Sequence, residues 1–193
     1  MDTMEKLDRL VEATAALLEG APSHRLQITN LNKALFYLDL VALKETGETI
    51  TGADYVALPQ GPAVDGYKKT LIPALENMGV AEQDRDGMGK PVVLKRPPKS
   101  YHYLDDHLRA RAAEVSAFVA RKTAAQISDL SHGNPGWKIA FDKGQGQQKK
   151  AERINMMVAM QQIVEHDPWL DEKPDARLRE SLEHAEHQMG EDL

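Results

Sequence analysis

The sequence contains no cysteine among its 193 residues. A disulfide framework, a thiolate zinc site and a thiol nucleophile are therefore excluded. No apolar run approaches the length of a membrane span, so a membrane partner is not expected. Lys and Arg together number 24 against 30 Asp and Glu, which gives a net charge of −6. An acidic chain is a poor candidate for non-specific binding to nucleic acid.

The overall composition is typical of a globular protein, with 41% hydrophobic and 28% charged residues. Its length suits one domain with an added helix or tail. The first five residues, Met-Asp-Thr-Met-Glu, are acidic and precede no apolar segment, so we expect no secretory signal. We therefore expect a cytoplasmic protein.

One predicted helix, residues 29–45, differs from the others because apolar residues cover nearly all of its sides. Such a helix is usually central and buried. Lys33 and Asp39 are its polar exceptions, and Gly47 supplies its C-terminal stop. Apolar residues at 3/4 spacing predict the remaining helices at 4–18, 104–119, 123–130 (capped by Thr123) and 154–164.

Two stretches are predicted to form structures other than a continuous helix. Residues 79–98 predict a β-hairpin with arms Val80–Arg85 and Pro91–Lys95. Earlier, Tyr55–Leu58 predicts a short extended piece, after which Pro62 is suited to open a helix that Pro73 interrupts.

The predicted fold class is mainly α: a helical domain with one small β-hairpin and an additional C-terminal helix. We expect the domain to span residues 1–168 and a helical extension to span 169–193. Within the extension, residues 174–193 form a highly charged helix with a thin apolar stripe. That stripe consists of Leu178, Leu182, Ala185 and Met189.

The adjacent Ser131 and His132 invite a nucleophile–base interpretation, but sequence neighbours rarely form such a pair and no G-x-S-x-G elbow is present. Instead, His132 lies near a helix C-terminus, where an imidazole can donate to free carbonyls, and Trp137 then anchors the chain. We favour structural fastening, with partner contact as the alternative. His184 and His187 are three residues apart in the polar tail and predict no metal site, and no cofactor is expected.

Two stretches carry a recognisable pattern, LNKALFYLDLVALKETGETITGADYVALPQGPAVDGYKK and ISDLSHGNPGWKIA. A buried helix of Leu-x-Lys-x-Leu-Phe/Tyr type leads into a Gly-rich turn, a Tyr-x-Ala…Gly-Pro segment, and later a short helix that ends in Ser-His before a Trp. The pattern resembles the Panacea domain, the SocA/GepA-like family of bacterial and phage proteins, over roughly residues 26–165. Its landmarks, structural or in contact with a partner, are Lys33, Tyr37, Tyr55, Gly61, Pro62, Ser131, His132 and Trp137.

The resemblance implies an antitoxin that neutralises a protein toxin by direct contact, not an enzyme. The SocA type is similar to a proteolytic adaptor that delivers its toxin, SocB, to the protease ClpXP, and the length and the C-terminal extension suit that type. The implied partners are a cognate toxin and the ClpX unfoldase. A DNA-binding transcriptional regulator stays open as an alternative, as does a hydrolase using His132.

Overall fold

A computed structural model describes residues 2–147, 150–165 and 168. Its helices are α1 Thr3–Gly20, α2 Ile28–Thr46, α3 Leu71–Asn77, α4 Asp106–Ala120, α5 Ala124–His132, α6 Pro135–Lys143 and α7 Met156–Glu165. Its strands are β1 Arg25–Leu26, β2 Tyr55–Leu58, β3 Gly61–Val64, β4 Ala81–Gln83 and β5 Val92–Leu94. The mainly α prediction is confirmed. The expected helix at 174–193 and the extension 169–193 lie outside the described residues.

Helix α2 is the centre of the fold, because every residue from 30 to 43 is buried. It packs against α1, α4, α5, α7 and β3. Gly47 ends it in the left-handed conformation, as the sequence predicts. A helix that is apolar all round can be covered only by neighbours on every side, and the other helices supply that cover.

Close approaches and caps set the arrangement around α2. A Cβ at Gly20 of α1 would lie 2.6 Å from the Cα of Ala113 in α4, so the two helices meet where a side chain is missing. The expected cap at Thr123 is present as a capping box with Gln126. Asn134 caps α6 by accepting from the Trp137 N–H at 3.1 Å, and Pro135 occupies its first turn.

The predicted hairpin forms between β4 and β5, and β1 joins it to make a three-stranded antiparallel sheet in the order β1-β5-β4. The structure adds a second hairpin, β2–β3, with Leu58 paired to Gly61 across a two-residue tip. The prediction that Pro62 opens a helix is wrong, because Pro62 lies inside β3 opposite Ala57. Proline can occupy a strand of a small ribbon where its missing N–H removes no ladder bond.

Candidate functional site

Seven of the eight sequence landmarks, all but Tyr37, lie in the β2–β3 hairpin or converge on it from three helices. Tyr55, Gly61 and Pro62 belong to the hairpin itself. The others come from separate elements: Lys33 and Tyr37 lie on α2, Ser131 and His132 end α5, and Trp137 begins α6. Residues up to about a hundred positions apart in the chain thus meet at one place.

His132 and Trp137 bind the carbonyls at the end of β2. The Trp137 indole Nε1 donates to the Leu58 carbonyl at 3.1 Å, and His132 Nε2 lies 2.9 Å from the Pro59 carbonyl. A carbonyl only accepts, so Nε2 carries the proton in this bond. The two rings stack with centroids 4.3 Å apart. His132 was expected to donate to the carbonyls of its own helix end, but its acceptor belongs to the hairpin.

Ser128 continues the same row of contacts, since its hydroxyl donates to the carbonyl of Gln60 at 2.9 Å. Three successive hairpin carbonyls, at residues 58, 59 and 60, therefore accept from three different side chains. Backbone carbonyls left without partners in a partly buried turn would destabilise the fold. These contacts supply those partners.

Lys33 is buried, with 2% of its surface exposed, and its Nζ donates to the Pro62 carbonyl at 2.9 Å. Burial lowers the pKa of Lys33 to about 7, because an ammonium ion loses its hydration in this position. The bond to Pro62 lies next to the three tip carbonyls. We call the donors Lys33, Ser128, His132 and Trp137, with the four carbonyls they bind, the hairpin clasp.

Gly61 lies where the clasp leaves no room for a side chain. A Cβ there would lie 2.2 Å from Ser131 Oγ and 2.7 Å from Lys33 Cε. Its φ of +95° is also a conformation that L-residues rarely adopt. Ser131 is buried and donates to the Ser128 carbonyl at 2.8 Å, so its hydroxyl fixes the helix turn that carries Ser128.

Tyr55 enters a second buried polar group, centred on Asp39 of α2. The Asp39 carboxyl accepts from the Tyr55 hydroxyl at 2.8 Å, from the Thr51 N–H at 3.0 Å, and from the Thr51 hydroxyl. Burial raises the pKa of Asp39, and the hydrogen bonds that it accepts oppose the rise. The group ties the start of β2 to the middle of α2.

Tyr37 packs one helical turn from Lys33 and is buried within the core. Its ring meets Phe36 edge-on, with centroids 5.6 Å apart. Burial raises the pKa of Tyr37, and a hydrogen bond with Gln162 works against that rise. Tyr37 therefore links α2 to α7 rather than to the hairpin.

The residues before α7 close the free edge of β2. The Ala57 N–H donates to the Glu152 carbonyl at 3.0 Å, and the Ile154 N–H donates to the Tyr55 carbonyl at 2.8 Å. β2 is therefore held on both edges, by β3 and by this segment. The tip residues Pro59 and Gln60 stay exposed.

The geometry does not pair Ser131 with His132 as nucleophile and base. The Ser131 hydroxyl donates within α5, and His132 Nε2 is bound to Pro59. A hydrolase that used Ser131 as nucleophile and His132 as base would require the hydroxyl and the ring nitrogen to bond each other. Within the described ranges, moreover, no group of three or more acidic or histidine side chains could hold a metal ion. The arrangement fixes backbone geometry rather than activating a reacting atom.

Several residues of this site were not found from the sequence. Asp39 stands out in the sequence as an acidic residue within an apolar helix, but the sequence does not indicate its partners, which lie outside that helix. Asn134 is also recognisable, since Asn-Pro before an apolar run is typical of a helix start. Its Nδ2 donates to the Ala159 carbonyl at 2.9 Å. Ser128 and Gln60 are not recognisable in this way, because a serine in a short helix indicates nothing about a carbonyl far away in sequence.

The fold and the site define a small helical domain in which side chains from three helices bind the carbonyls of one hairpin. More than half of the chain, residues 31–138, matches the family described as antitoxin SocA-like, Panacea domain. The chain belongs to this family of antitoxins, and such a family implies a toxin as partner. All eight landmark residues fall within the match. No curated protein and no solved structure matches the chain. In the part of the chain that the structure describes, no helix is long and apolar enough to cross a membrane.

Proposed function

We propose that this protein is the antitoxin of a bacterial toxin–antitoxin pair and neutralises its toxin by direct contact. The observation that carries the proposal is the hairpin clasp. Its polar side chains are committed to backbone carbonyls, which favours a role in shape over one in chemistry. A surface that is rigid before binding loses less entropy when a partner docks. We further propose that the protein acts in the cytoplasm and is not an enzyme.

The finer proposal is that the protein is a proteolytic adaptor of the SocA type, which delivers a SocB-like toxin to ClpXP. Its support is the family and the acidic C-terminal segment. Residues 166–193 contain nine Asp and Glu against three Lys and Arg, whereas residues 1–165 contain 21 of each. The formal net charge of −6 therefore comes entirely from the segment after α7. We propose that residues 1–168 form the toxin-binding domain and that 169–193 serve delivery.

Co-expression with the adjacent gene tests the antitoxin proposal. The neighbouring product alone should arrest growth, and this protein should restore growth and co-purify in a complex burying on the order of 1,200 Å² or more. A neighbouring product that is harmless, or one that stays toxic while the two proteins remain separate, would contradict the proposal.

Reconstituted degradation tests the adaptor role separately. Purified ClpXP should degrade the toxin only when this protein is present. The chain truncated after Asp167 should keep its melting temperature and its toxin binding but lose delivery. A truncated chain that delivers as well as the full chain would contradict the role of the last residues, and degradation without this protein would contradict the adaptor role itself.

Two alternatives receive no support from the geometry. The hydrolase would need a different Ser131–His132 arrangement, as described above. A DNA-binding regulator would need a helix with unpaired basic side chains, yet the arginines of α4 pair with acids. Arg111 Nε lies 3.1 Å from Glu45, and Arg109 lies 3.9 Å from Glu19.

A further inference from the structure

The outer face of α7 is apolar although it is exposed. Met157 and Val164 lie two helical turns apart on one side of the helix, and 60% and 57% of their surfaces are exposed. Val158 and Met160, between them, are only half-buried, and no charged residue occurs from 154 to 164. Single exposed apolar side chains are common, but a contiguous apolar patch of this kind indicates a contact surface.

An open cleft continues this face at the start of α7. It has a volume of about 360 Å³ and lies between the end of α2 and the first turn of α7. Its lining consists of Leu43, Gly47, Glu48, Thr49, Asn155, Met156 and Met157. Because Met157 belongs to both, the cleft and the outer face of α7 form one continuous surface, which we call the α7 surface.

Glu48 gives the cleft a negative charge without a partner in the described chain. It is exposed, it is the one ionisable residue of the lining, and it forms no ion pair with another described residue. The basic residues of the adjoining segments are already bound: Lys44 Nζ donates to a carbonyl at the end of α7 at 3.0 Å, and Arg153 pairs with Asp54 at 3.3 Å. Gly47, the C-cap of the 19-residue helix α2, also lines the cleft, so the negative end of that helix adds to the charge.

The start of α7 offers an anion little in return. Asn155 Oδ1 accepts from the N–H groups of Met157 and Val158 at 3.0 and 3.3 Å, so a side chain already caps this helix end. A long basic side chain suits the cleft better, because Lys and Arg lay their methylene groups on apolar surface and keep the charged head in water. Met156 and Met157 supply the apolar surface, and Glu48 supplies the counter-charge.

We propose that the α7 surface binds an amphipathic helix of a partner protein that carries a Lys or Arg at one end. The apolar side of that helix would pack along Met157, Met160 and Val164, whose i, i+3, i+7 spacing is the one by which helices present contact residues. Its basic side chain would cross Met156 toward Glu48. Charge complementarity therefore selects the occupant, and the flexible methionines accommodate its shape. The proposal rests on the proposed function only in naming the toxin as the partner.

A titration of the full chain with a synthetic amphipathic helix tests the surface without any toxin. The probe is a peptide of about 15 residues, made of Leu and Lys with Leu at helical spacing. The amide resonances of residues 156–164 should shift as it binds. The same peptide with Glu in place of Lys should bind about tenfold more weakly or worse, because Glu48 then repels it. Absence of shifts at 156–164, or equal binding of the two peptides, would overturn the proposal.

Variants separate the α7 surface from general attraction to an acidic chain. The double variant Met157→Gln/Val164→Gln should weaken binding of the Lys peptide about tenfold or more, because apolar burial is lost. Met78→Gln is its matched control, since Met78 is 54% exposed at the end of α3. Glu48→Lys should weaken binding about fivefold. Asp86→Lys carries the same charge change in the exposed β4–β5 turn, which contacts the opposite end of α2, and should have less than about a twofold effect. Controls that weaken binding as much as the test variants would overturn the site.

Two other occupants of the α7 surface would contradict its assignment to a partner. If the residues of this chain after 168 covered it, truncation after Asp167 would shift the amide resonances of residues 156–160 before any peptide is added. If a second copy covered it, the sedimentation coefficient would rise with protein concentration, and the double variant would abolish that rise. We expect unchanged resonances and a constant sedimentation coefficient, and either other result would overturn the proposal.

The two proposals fail separately. A peptide that does not bind removes the α7 surface but leaves toxin neutralisation as it stands. A neighbouring protein that is not neutralised, while the peptide still binds, removes the antitoxin function alone. If both hold, Met157→Gln/Val164→Gln should weaken the toxin complex about tenfold, whereas Met78→Gln should leave it unchanged. Equal affinity of the double variant and the wild type would overturn the assignment of the toxin to the α7 surface.

Discussion

The two hairpins of this protein are held by different means. All residues of β3 and most of β2 are buried, and side chains 68 to 79 positions later in the chain bind the tip carbonyls. The β4–β5 hairpin has an exposed turn with two local bonds: the Gly87 N–H donates to Asp84 at 2.8 Å, and the Lys90 N–H to Gly87 at 2.9 Å. One long-range bond also reaches this turn, from the Ile28 N–H to the Gly89 carbonyl at 3.2 Å. The tip of the first hairpin is thus bound by side chains distant in sequence, whereas the turn of the second is held mainly by its own residues.

Substituting Gly61 should produce the largest difference between the hairpins. Gly61→Val combines a positive φ with overlap against Ser131 and Lys33, so we expect a loss of more than about 3 kcal/mol in the free energy of unfolding, or failure to fold. Gly66→Val is the control, since Gly66 has φ of +68° but a Cβ there would make only an ordinary contact, with Thr70 Oγ1 at 3.9 Å. Urea unfolding should show a loss of only about 1–2 kcal/mol for the control. Equal losses would mean that the clasp is not tightly packed.

Removing the Lys33 amine should change how stability depends on pH. The folded protein releases this proton near pH 7, whereas in the unfolded chain the pKa is near 10.5. Unfolding between these values takes up a proton, so Lys33 makes stability rise with pH there and contributes no slope below about pH 7. Relative to Lys33→Met, the wild type should gain about 2 kcal/mol from about pH 7 to about pH 9. Urea titrations at both values measure the gain, and parallel pH profiles would show that Lys33 is not desolvated.

His132→Ala should have an intermediate effect. The Pro59 carbonyl loses its donor and the Trp137 ring loses a stacked neighbour, so we expect a loss of about 1–2 kcal/mol. Toxin neutralisation should fall only as folding falls. The control is His107→Ala, because His107 is largely exposed and contacts Glu45 at the surface. A stable His132→Ala protein that no longer neutralises toxin would instead identify His132 as a partner contact.

Met88→Ser should have the smallest effect, in the turn of the other hairpin. Its side chain is 91% exposed, so the free energy of unfolding should change by less than about 0.5 kcal/mol. Thermal unfolding of the variant beside the wild type measures this. A large loss would show that the β4–β5 turn also depends on distant contacts.

The same difference explains which parts of the fold could be predicted from sequence. Helix α2 and the β4–β5 hairpin follow from apolar periodicity and from turn residues a few positions apart. The β2–β3 hairpin does not follow from such local patterns. Pro62 suits the first turn of a helix as well as it suits the strand in which it lies, where its carbonyl accepts from Lys33. The landmark residues of the site could be selected from the pattern, but their partners Ser128, Asp39 and Thr51 could not. Those contacts depend on how α5 and β2 come to lie together, which no local spacing encodes.

The position of α2 has a consequence for mechanical resistance. Since every neighbouring element covers this helix, its amide protons should exchange with solvent only when the whole domain opens. An unfoldase that pulls on one end would meet a single cooperative barrier instead of a series of small ones. Under the proposed adaptor role, this barrier would keep the domain intact while a delivered toxin is degraded.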